Sequence, residues 1–377
     1  MSTPVVLVGS GGYATNYVRM LLENLFDMQM VGIVDPYATA SPYYDRFKDY
    51  PIYNNLDEFY AKHSAELAIV STPIHLHFEQ CMTALENGSH VLCEKPLVPT
   101  LTQLDQLAAK AESVGKTLSV GFQWCFSPVM RNIKERIMTK EFGAPLCFKS
   151  YVSWPRDWSY YARSSWAGKY KTADGKPVYD SVISNATAHY IQNCLFLLGP
   201  NMEEAAELQN LKHECYRAND IETFDTIALK GKAGGADVFY AASHALNYKL
   251  NPIMDCSFEN ARILANIFNQ DWTITIHHKD GRIEEITQEY DSNVNKMEFV
   301  TDIIKGLRPP ACSTKTVRAF TALLDAVFTE LDVRQFNEDF VVRDDEAKCT
   351  YVKNLHMDLW ECFLQNKLPS EMGFVWG

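Results

Sequence analysis

The residues near the start of this chain are of the types and order that hold a phosphate-bearing ligand. Val5-Val6-Leu7-Val8 runs into Gly9-Ser10-Gly11-Gly12-Tyr13-Ala14. In a Gly-x-Gly-x-x-Ala pattern, the first glycine allows a tight turn and the second lets backbone approach a pyrophosphate. The small third residue lets the following helix pack close to the strand. The N–H groups of that helix then face the phosphates. A second apolar run, Val31-Gly32-Ile33-Val34, ends on Asp35. A carboxylate there accepts hydrogen bonds from a ribose and repels a 2′-phosphate, which favours NAD over NADP. The plainer reading is that Asp35 caps a turn before Pro36. Glycine turns are common, so the weight comes from strand, turn, helix and trailing acid agreeing.

Two further groups have chemical potential. Glu94-Lys95-Pro96 follows the apolar run His90–Cys93. Charges immediately after a buried strand are costly unless paired or used, and Pro96 biases Lys95 toward extended backbone. A surface Lys–Glu pair explains these three residues equally well. In Asn185-Ala-Thr-Ala-His189-Tyr-Ile-Gln-Asn193 the polar residues recur every four positions, so a helix would show Asn185, His189 and Asn193 on one face. A polar stripe among apolar neighbours needs partners, although a single helical histidine is more often structural than catalytic. Ser71-Thr72-Pro73 ends an apolar run, where its hydroxyls would line the same cleft or cap the next helix. His75 and His77, two apart, fall on different helix faces, so no metal pair is expected.

The elements that must carry these groups follow from the pattern. Val5–Val8, Val31–Val34, Leu67–Ser71, His90–Cys93 and Thr117–Gly121 read as strands, with helices over Asn16–Leu25, His75–Glu86 and Leu101–Ser113 between them. This alternation predicts a doubly wound parallel sheet, and its C-terminal edge is where ligands bind. After Pro128 the rhythm changes. An aromatic stretch from Tyr151 to Lys171 precedes a helical run from Ala186 to Leu198. Strands are then expected over Thr223–Leu229, Ala236–His244, Asp255–Glu259, Ala261–Ile267 and Trp272–His277, giving a mostly antiparallel open sheet in an α+β domain. Helices follow over Lys296–Lys305 and Thr314–Glu330. The final 45 residues fit no pattern. The expected division is residues 1–123 as the dinucleotide-binding domain and 124–377 as the second, with the late helices packing back on the first.

Composition narrows the partners. A net charge of −12 with no Lys/Arg run is ill suited to nucleic acid or anionic membrane. The ten cysteines include no Cys-x-x-Cys pair and suit reduced, mostly buried thiols. The N-terminus lacks the pattern of a secretory signal, and no apolar run approaches the ~20 residues of a membrane span. A cytoplasmic protein is expected.

The chain resembles the glucose–fructose oxidoreductase/inositol dehydrogenase/MocA family. The resemblance rests on Gly9–Ala14, Asp35, Ser71-Thr72-Pro73 with His77, Val91–Pro96, Val120–Pro128 with Gln123, and Asn185–Asn193 followed by Leu198-Gly199. It implies a nicotinamide-dependent oxidoreductase moving hydride to or from a hydroxyl or keto carbon of a sugar, polyol or related compound. Gly9, Ser10, Gly11, Gly12, Tyr13, Ala14, Asp35, Ser71, Thr72, Pro73, His77, Glu94, Lys95 and Gln123 would serve the cofactor. Lys95 and His189 would be catalytic, with Asn185 orienting them. Tyr161, Arg163, Trp166 and Asn193 are expected to meet the substrate, and the tryptophans with Tyr160, Tyr161, Arg163 and Arg156 would form a sugar-stacking wall, though aromatic clusters are more often plain core or interface. The resemblance further implies a homodimer or homotetramer formed through the second-domain sheet. Asn185 stands where the family usually has aspartate, and Cys125 where an arginine is common. Two alternatives remain: an NAD-dependent glycoside hydrolase working by transient oxidation, and a non-catalytic NAD-binding sensor.

Overall fold

The computed structural model describes residues 2–268, 271–288 and 292–376. The chain divides into two compact units, Met1–Phe126 with Ser292–Val317, and Ser127–Asp291 with Arg318–Gly377.

The first unit alternates strand and helix: β1 Thr3–Val8, α1 Ala14–Leu22, β2 Met28–Val34, α2 Tyr44–Phe47, β3 Ile52–Tyr53, α3 Leu56–Tyr60, β4 Leu67–Val70, α4 Ile74–Glu86, β5 His90–Cys93, α5 Leu101–Ser113 and β6 Leu118–Val120. All six strands are parallel, in the order β3-β2-β1-β4-β5-β6. Leu67–Val70 is buried along its whole length, as a strand covered by helices on both faces must be. Strand order reverses between β1 and β4, which opens a crevice at their C-terminal ends. The predicted elements are present with shifted ends. The pattern missed β3, α2 and α3, because a two-residue strand and one-turn helices carry too little periodicity to register.

The second unit begins with α6 Pro128–Met138, β7 Pro145–Ser153, α7 Trp158–Ala162 and α8 Ala188–Leu197. It continues through β8 Gln209–Arg217, β9 Thr226–Ala233, β10 Ala236–Ser243, β11 Leu250–Phe258, β12 Ala261–Phe268, β13 Asp271–His278 and β14 Ile283–Gln288. The chain then returns to the first unit with α9 Ser292–Ile304, passes through α10 Thr314–Thr329, and ends with β15 Val333–Gln335, β16 Val341–Asp344, β17 Cys349–Val352 and α11 Leu355–Gln365. β7 to β15 form a nine-stranded sheet ordered β14-β13-β12-β11-β7-β10-β9-β8-β15. It is mostly antiparallel, with parallel pairings only of β7 to β10 and β8 to β15. The strands at Pro145–Ser153, Gln209–Arg217 and Ile283–Gln288 were not anticipated. Their residues mix charge with apolar positions, which hides the alternation.

The two faces of this sheet are covered differently. Along β10 successive side chains point opposite ways. Tyr240 reaches Thr187, just before α8, with a 2.6 Å hydrogen bond. Phe239 and Ala241 instead join a buried cluster with Leu355, Leu359 and Phe363 of α11 and with Trp376. The C-terminal stretch that fitted no sequence pattern is therefore a covering layer for one face of the sheet.

No helix among the described residues is long and apolar enough to cross a membrane. No His/Cys/Asp/Glu cluster among them could hold a metal ion, and all ten cysteines are free thiols.

Candidate active site

The parallel sheet of the first unit brings several of the singled-out residues to one edge, because the strands preceding them all end there. Gly9 follows β1, Asp35 follows β2, Ser71-Thr72-Pro73 follows β4, and Glu94-Lys95 follows β5. Gly9 has φ +91°, and a Cβ there would lie 2.5 Å from the Ser71 carbonyl oxygen; only glycine lets β1 turn this close to β4. A Cβ on Gly11 or Gly12 would meet nothing within 4 Å, so the loop leaves an open cradle. No side chain caps the N-terminus of α1; the N–H groups of Ala14, Thr15 and Asn16 donate to the carbonyls of Gly11, Gly12 and Tyr13. An open glycine cradle at an uncapped helix start fits a dinucleotide pyrophosphate.

Asp35 is pinned to the same loop. One carboxylate oxygen accepts from the Ser10 N–H at 2.8 Å and the Ser10 hydroxyl at 2.6 Å, and the other accepts from the Tyr37 N–H at 2.8 Å. The Ser10 carbonyl accepts in turn from the Ser41 hydroxyl. Tyr13 donates its hydroxyl to Asn293 at 2.8 Å. Thr72 hydrogen-bonds Gln80.

The Glu-Lys-Pro segment is braced from two sides. His77 is buried, with Nδ1 2.9 Å from the Pro96 carbonyl and Nε2 2.8 Å from the Thr72 carbonyl. Its pKa lies below the usual histidine value because burial outweighs the carbonyl contacts. Glu94 accepts from the Lys296 ammonium at 2.8 Å and the Tyr17 hydroxyl at 2.5 Å. Burial pushes the Glu94 pKa up, but Lys296 and Tyr17 hold it below the ordinary glutamate value. Glu94 therefore acts within the protein as a strut. Lys95, half-buried and joined to Pro96 by a cis peptide, is the cation that follows this strut at the sheet edge. Gln123 lies half-buried in the short 3-10 turn Gln123–Phe126 after β6.

In the second unit, His189 and Asn193 lie on α8, whose residues are all buried. The Nδ2 atom of Asn193 is buried without a hydrogen-bond partner. Asn185 does not share their helix. It sits in the turn before Thr187, the N-cap of α8. Spacing by four placed it on the helical face, but the chain reaches helical geometry only at Ala188. Its side-chain amide donates to Asp180 at 2.9 Å. Asp180, buried, also accepts from the Gly168 N–H at 2.7 Å and from Arg163 at 3.2 Å. The carboxylate that the sequence lacks at position 185 is thus supplied one contact back. Tyr161 belongs to α7, and its hydroxyl is buried without a partner. Arg163 lies over the Tyr160 ring at 3.9 Å and within 5.1 Å of the Trp166 ring.

The oxidoreductase-family model with an NAD-binding Rossmann fold, Gfo/Idh/MocA, matches residues 3–122. Over those residues the chain is similar to this family. An uncharacterised oxidoreductase of Schizosaccharomyces pombe is 26% identical over 225 residues, 58% of this chain and 58% of that one. The chain spans about half the length of the curated relatives it matches. Among solved structures, the WlbA dehydrogenase from Bordetella pertussis in complex with NADH and UDP-GlcNAcA has a TM-score of 0.71 at 20% identity, covering 87% of this chain and 96% of that one. KijD10, a 3-ketoreductase from Actinomadura kijaniata in complex with NADP and TDP-benzene, has a TM-score of 0.71 at 17% identity, covering 89% and 100%. At these identities the likeness is one of fold.

The sequence alone did not single out Lys296, Tyr17 and Asp180. Lys296 is 202 positions from Glu94, so no local pattern links them. Asp180 lies in a loop with no periodicity. The one available signal was the cost of burying Glu94, which demands a cation somewhere in the fold.

Proposed function

We propose that the chain is a nicotinamide-dependent oxidoreductase acting on a hydroxyl or keto carbon of a sugar, polyol or related compound, with NAD as its cofactor. The observation that carries this is the shared C-terminal edge of β1, β2, β4 and β5, which places the glycine cradle, Asp35, Ser71–Pro73 and Lys95 on one side of the first unit. The loop from Gly9 to Ala14 holds the pyrophosphate, and Asp35 meets the adenosine ribose and turns away a 2′-phosphate. A nicotinamide held by these residues would supply the hydride acceptor or donor. Lys95 donates to the substrate oxygen and stabilises the charge that develops on it. His189 takes the hydroxyl proton on an imidazole nitrogen as the carbonyl forms. Asn185, held by Asp180, positions His189. Subunits associate through the second-unit sheet, using the strands that α11 leaves uncovered.

The test is nicotinamide absorbance in a screen of NAD and NADP against polyols, aldoses, inositols and their keto forms. Turnover with NAD is expected, falling about 10²- to 10³-fold in Lys95→Ala and about 10²- to 10⁴-fold in His189→Ala, with NAD affinity retained. Undiminished turnover in Lys95→Ala would remove lysine from the mechanism. Silence of the native protein across the whole panel would remove the activity.

A further inference from the structure

Within the second unit, a chain of contacts runs from the turn before α8 to the helix itself. Asn185 bonds Asp180, Asp180 pairs with Arg163, and Arg163 lies on the Tyr160 ring. The Tyr160 ring also carries the Arg156 guanidinium at 4.8 Å. Arg156 lies 5.8 Å from the Trp154 ring, which meets Tyr190 edge-on at 5.5 Å. Tyr190 follows His189 on α8. The contacts thus end at Tyr190, whose ring centroid lies 6.4 Å from that of His189.

The two arginines of this loop differ. Arg163 has its carboxylate in Asp180. Arg156 makes no ion pair with a carboxylate among the described residues, and of these carboxylates only the adjacent Asp157 acts on it through space. Its neighbour Asp157 is occupied capping α7, accepting from the Tyr160 N–H at 2.9 Å and the Ser159 hydroxyl at 2.6 Å. The side-chain hydrogen bond Arg156 makes is to the Tyr160 hydroxyl, and its Nε is buried with no partner. A half-buried cation facing aromatic rings is only partly compensated by them.

Two other polar atoms here are buried and unpartnered, Trp154 Nε1 and His244 Nε2. His244 is itself almost wholly buried. Its Nδ1 lies 2.8 Å from the Trp154 carbonyl, so Nδ1 carries the proton and Nε2 is an acceptor. Burial, with Arg156 and Arg163 close by, pushes its pKa down to about 3, so the ring is neutral at ordinary pH. Native proteins pair nearly all buried polar groups. A cation lacking an ion pair, an indole donor and a neutral imidazole acceptor gathered about Tyr160 are the outline of a polar ligand.

We propose that Arg156 anchors an acidic group of the substrate, a carboxylate or a phosphate, so that the chain acts on an acidic sugar derivative and not on a neutral one. Trp154 Nε1 donates to the same ligand, and His244 Nε2 accepts from one of its hydroxyls. The inference rests on the oxidoreductase reading above and adds the substrate class to it.

The experiment measures binding and turnover separately. The full chain saturated with NADH is titrated by tryptophan fluorescence with glucose, glucuronate, galacturonate and glucose 6-phosphate, and nicotinamide turnover is followed on the same panel. At least one acidic sugar is expected to bind 10- to 100-fold more tightly than glucose, with an affinity that weakens as salt rises. Arg156→Gln should abolish that preference, and Arg156→Lys should keep part of it by retaining the charge without the planar fork. The uronates and the sugar phosphate distinguish carboxylate from phosphate. Equal affinity for acidic and neutral sugars, or no binding of any acidic sugar, overturns the proposal. An equal loss for both kinds in Arg156→Gln, with Arg156→Lys unchanged from native, also overturns it. Acidic sugars that bind through Arg156 without any nicotinamide change leave the subsite standing and remove the oxidoreductase reading. Turnover of neutral sugars without acid preference does the reverse.

Discussion

At the scale of single residues, Asp35 shows that two readings of one side chain need not compete. The sequence allowed either a ribose acceptor or a turn cap. The carboxylate caps the turn at Tyr37 and clamps Ser10, which occupies three of its roughly four acceptor positions. This clamping fixes the negative charge at the end of β2, where a 2′-phosphate would have to lie. Asp35→Ser should therefore weaken NAD binding while raising the NADP-to-NAD ratio of kcat/KM by about 10-fold or more, the size of a near-surface charge repulsion. Initial rates with each cofactor check this. A ratio that stays at the native value would leave Asp35 a loop clamp alone.

At the scale of elements, β5, α1 and α9 meet in one buried pair. Lys296 of α9 reaches Glu94 after β5, while Tyr17 of α1 supplies the second hydrogen bond. The Lys296 ammonium also lies 4.7 Å from the Tyr17 ring. Burial pulls the Lys296 pKa down, but Glu94 raises it above the ordinary lysine value. The depressed Glu94 contributes stability that is present above the ordinary carboxylate pKa and lost as pH falls through the lowered one. The raised Lys296 contributes stability that is present below the ordinary lysine pKa and lost as pH rises through the raised one. The pair is thus constant across the neutral range. Lys296→Met should cost about 3–5 kcal/mol by leaving a buried carboxylate unpaired, and adding Glu94→Gln should recover part of it. Urea unfolding of the single and double variants reads both effects. A single variant as stable as the native protein would mean that water reaches Glu94.

Legibility in the sequence followed the range of the interaction. The glycine turn, Asp35 and the long buried strands were readable, because their physics lies within a few residues. Asn185 was misplaced because a spacing of four assumes a helix that starts three residues later. The Asp180 and Lys296 partners were invisible because loop contacts and pairs distant in sequence leave no period. Arg156 was visible only as one member of an aromatic stretch, and its lack of an ion pair is a property of the fold.

At the scale of the whole molecule, the C-terminal segment bears on how copies associate. The resemblance implies assembly through the second-unit sheet, yet α11 already covers β7 and β10 on one face with Leu355, Leu359 and Phe363. Lys149 of β7 donates to the Phe363 carbonyl at 3.1 Å, and Asp255 of β11 takes both Lys149 and Arg262. Beyond that cover, the same face continues over β12 and β13 with Arg262, Leu264, Asn266, Thr273 and His277, most of them exposed. Any sheet-mediated interface is therefore confined to this polar strip. Such an interface is weaker per area than an apolar one and dissociates more readily on charge insertion. Leu264→Arg should reduce the mass measured by light scattering to that of one chain, with cofactor binding in the first unit unchanged. If the variant keeps the mass of two or more chains, the interface lies off this face. If the native protein already has the mass of one chain, α11 has taken the place on the sheet that a second subunit would fill.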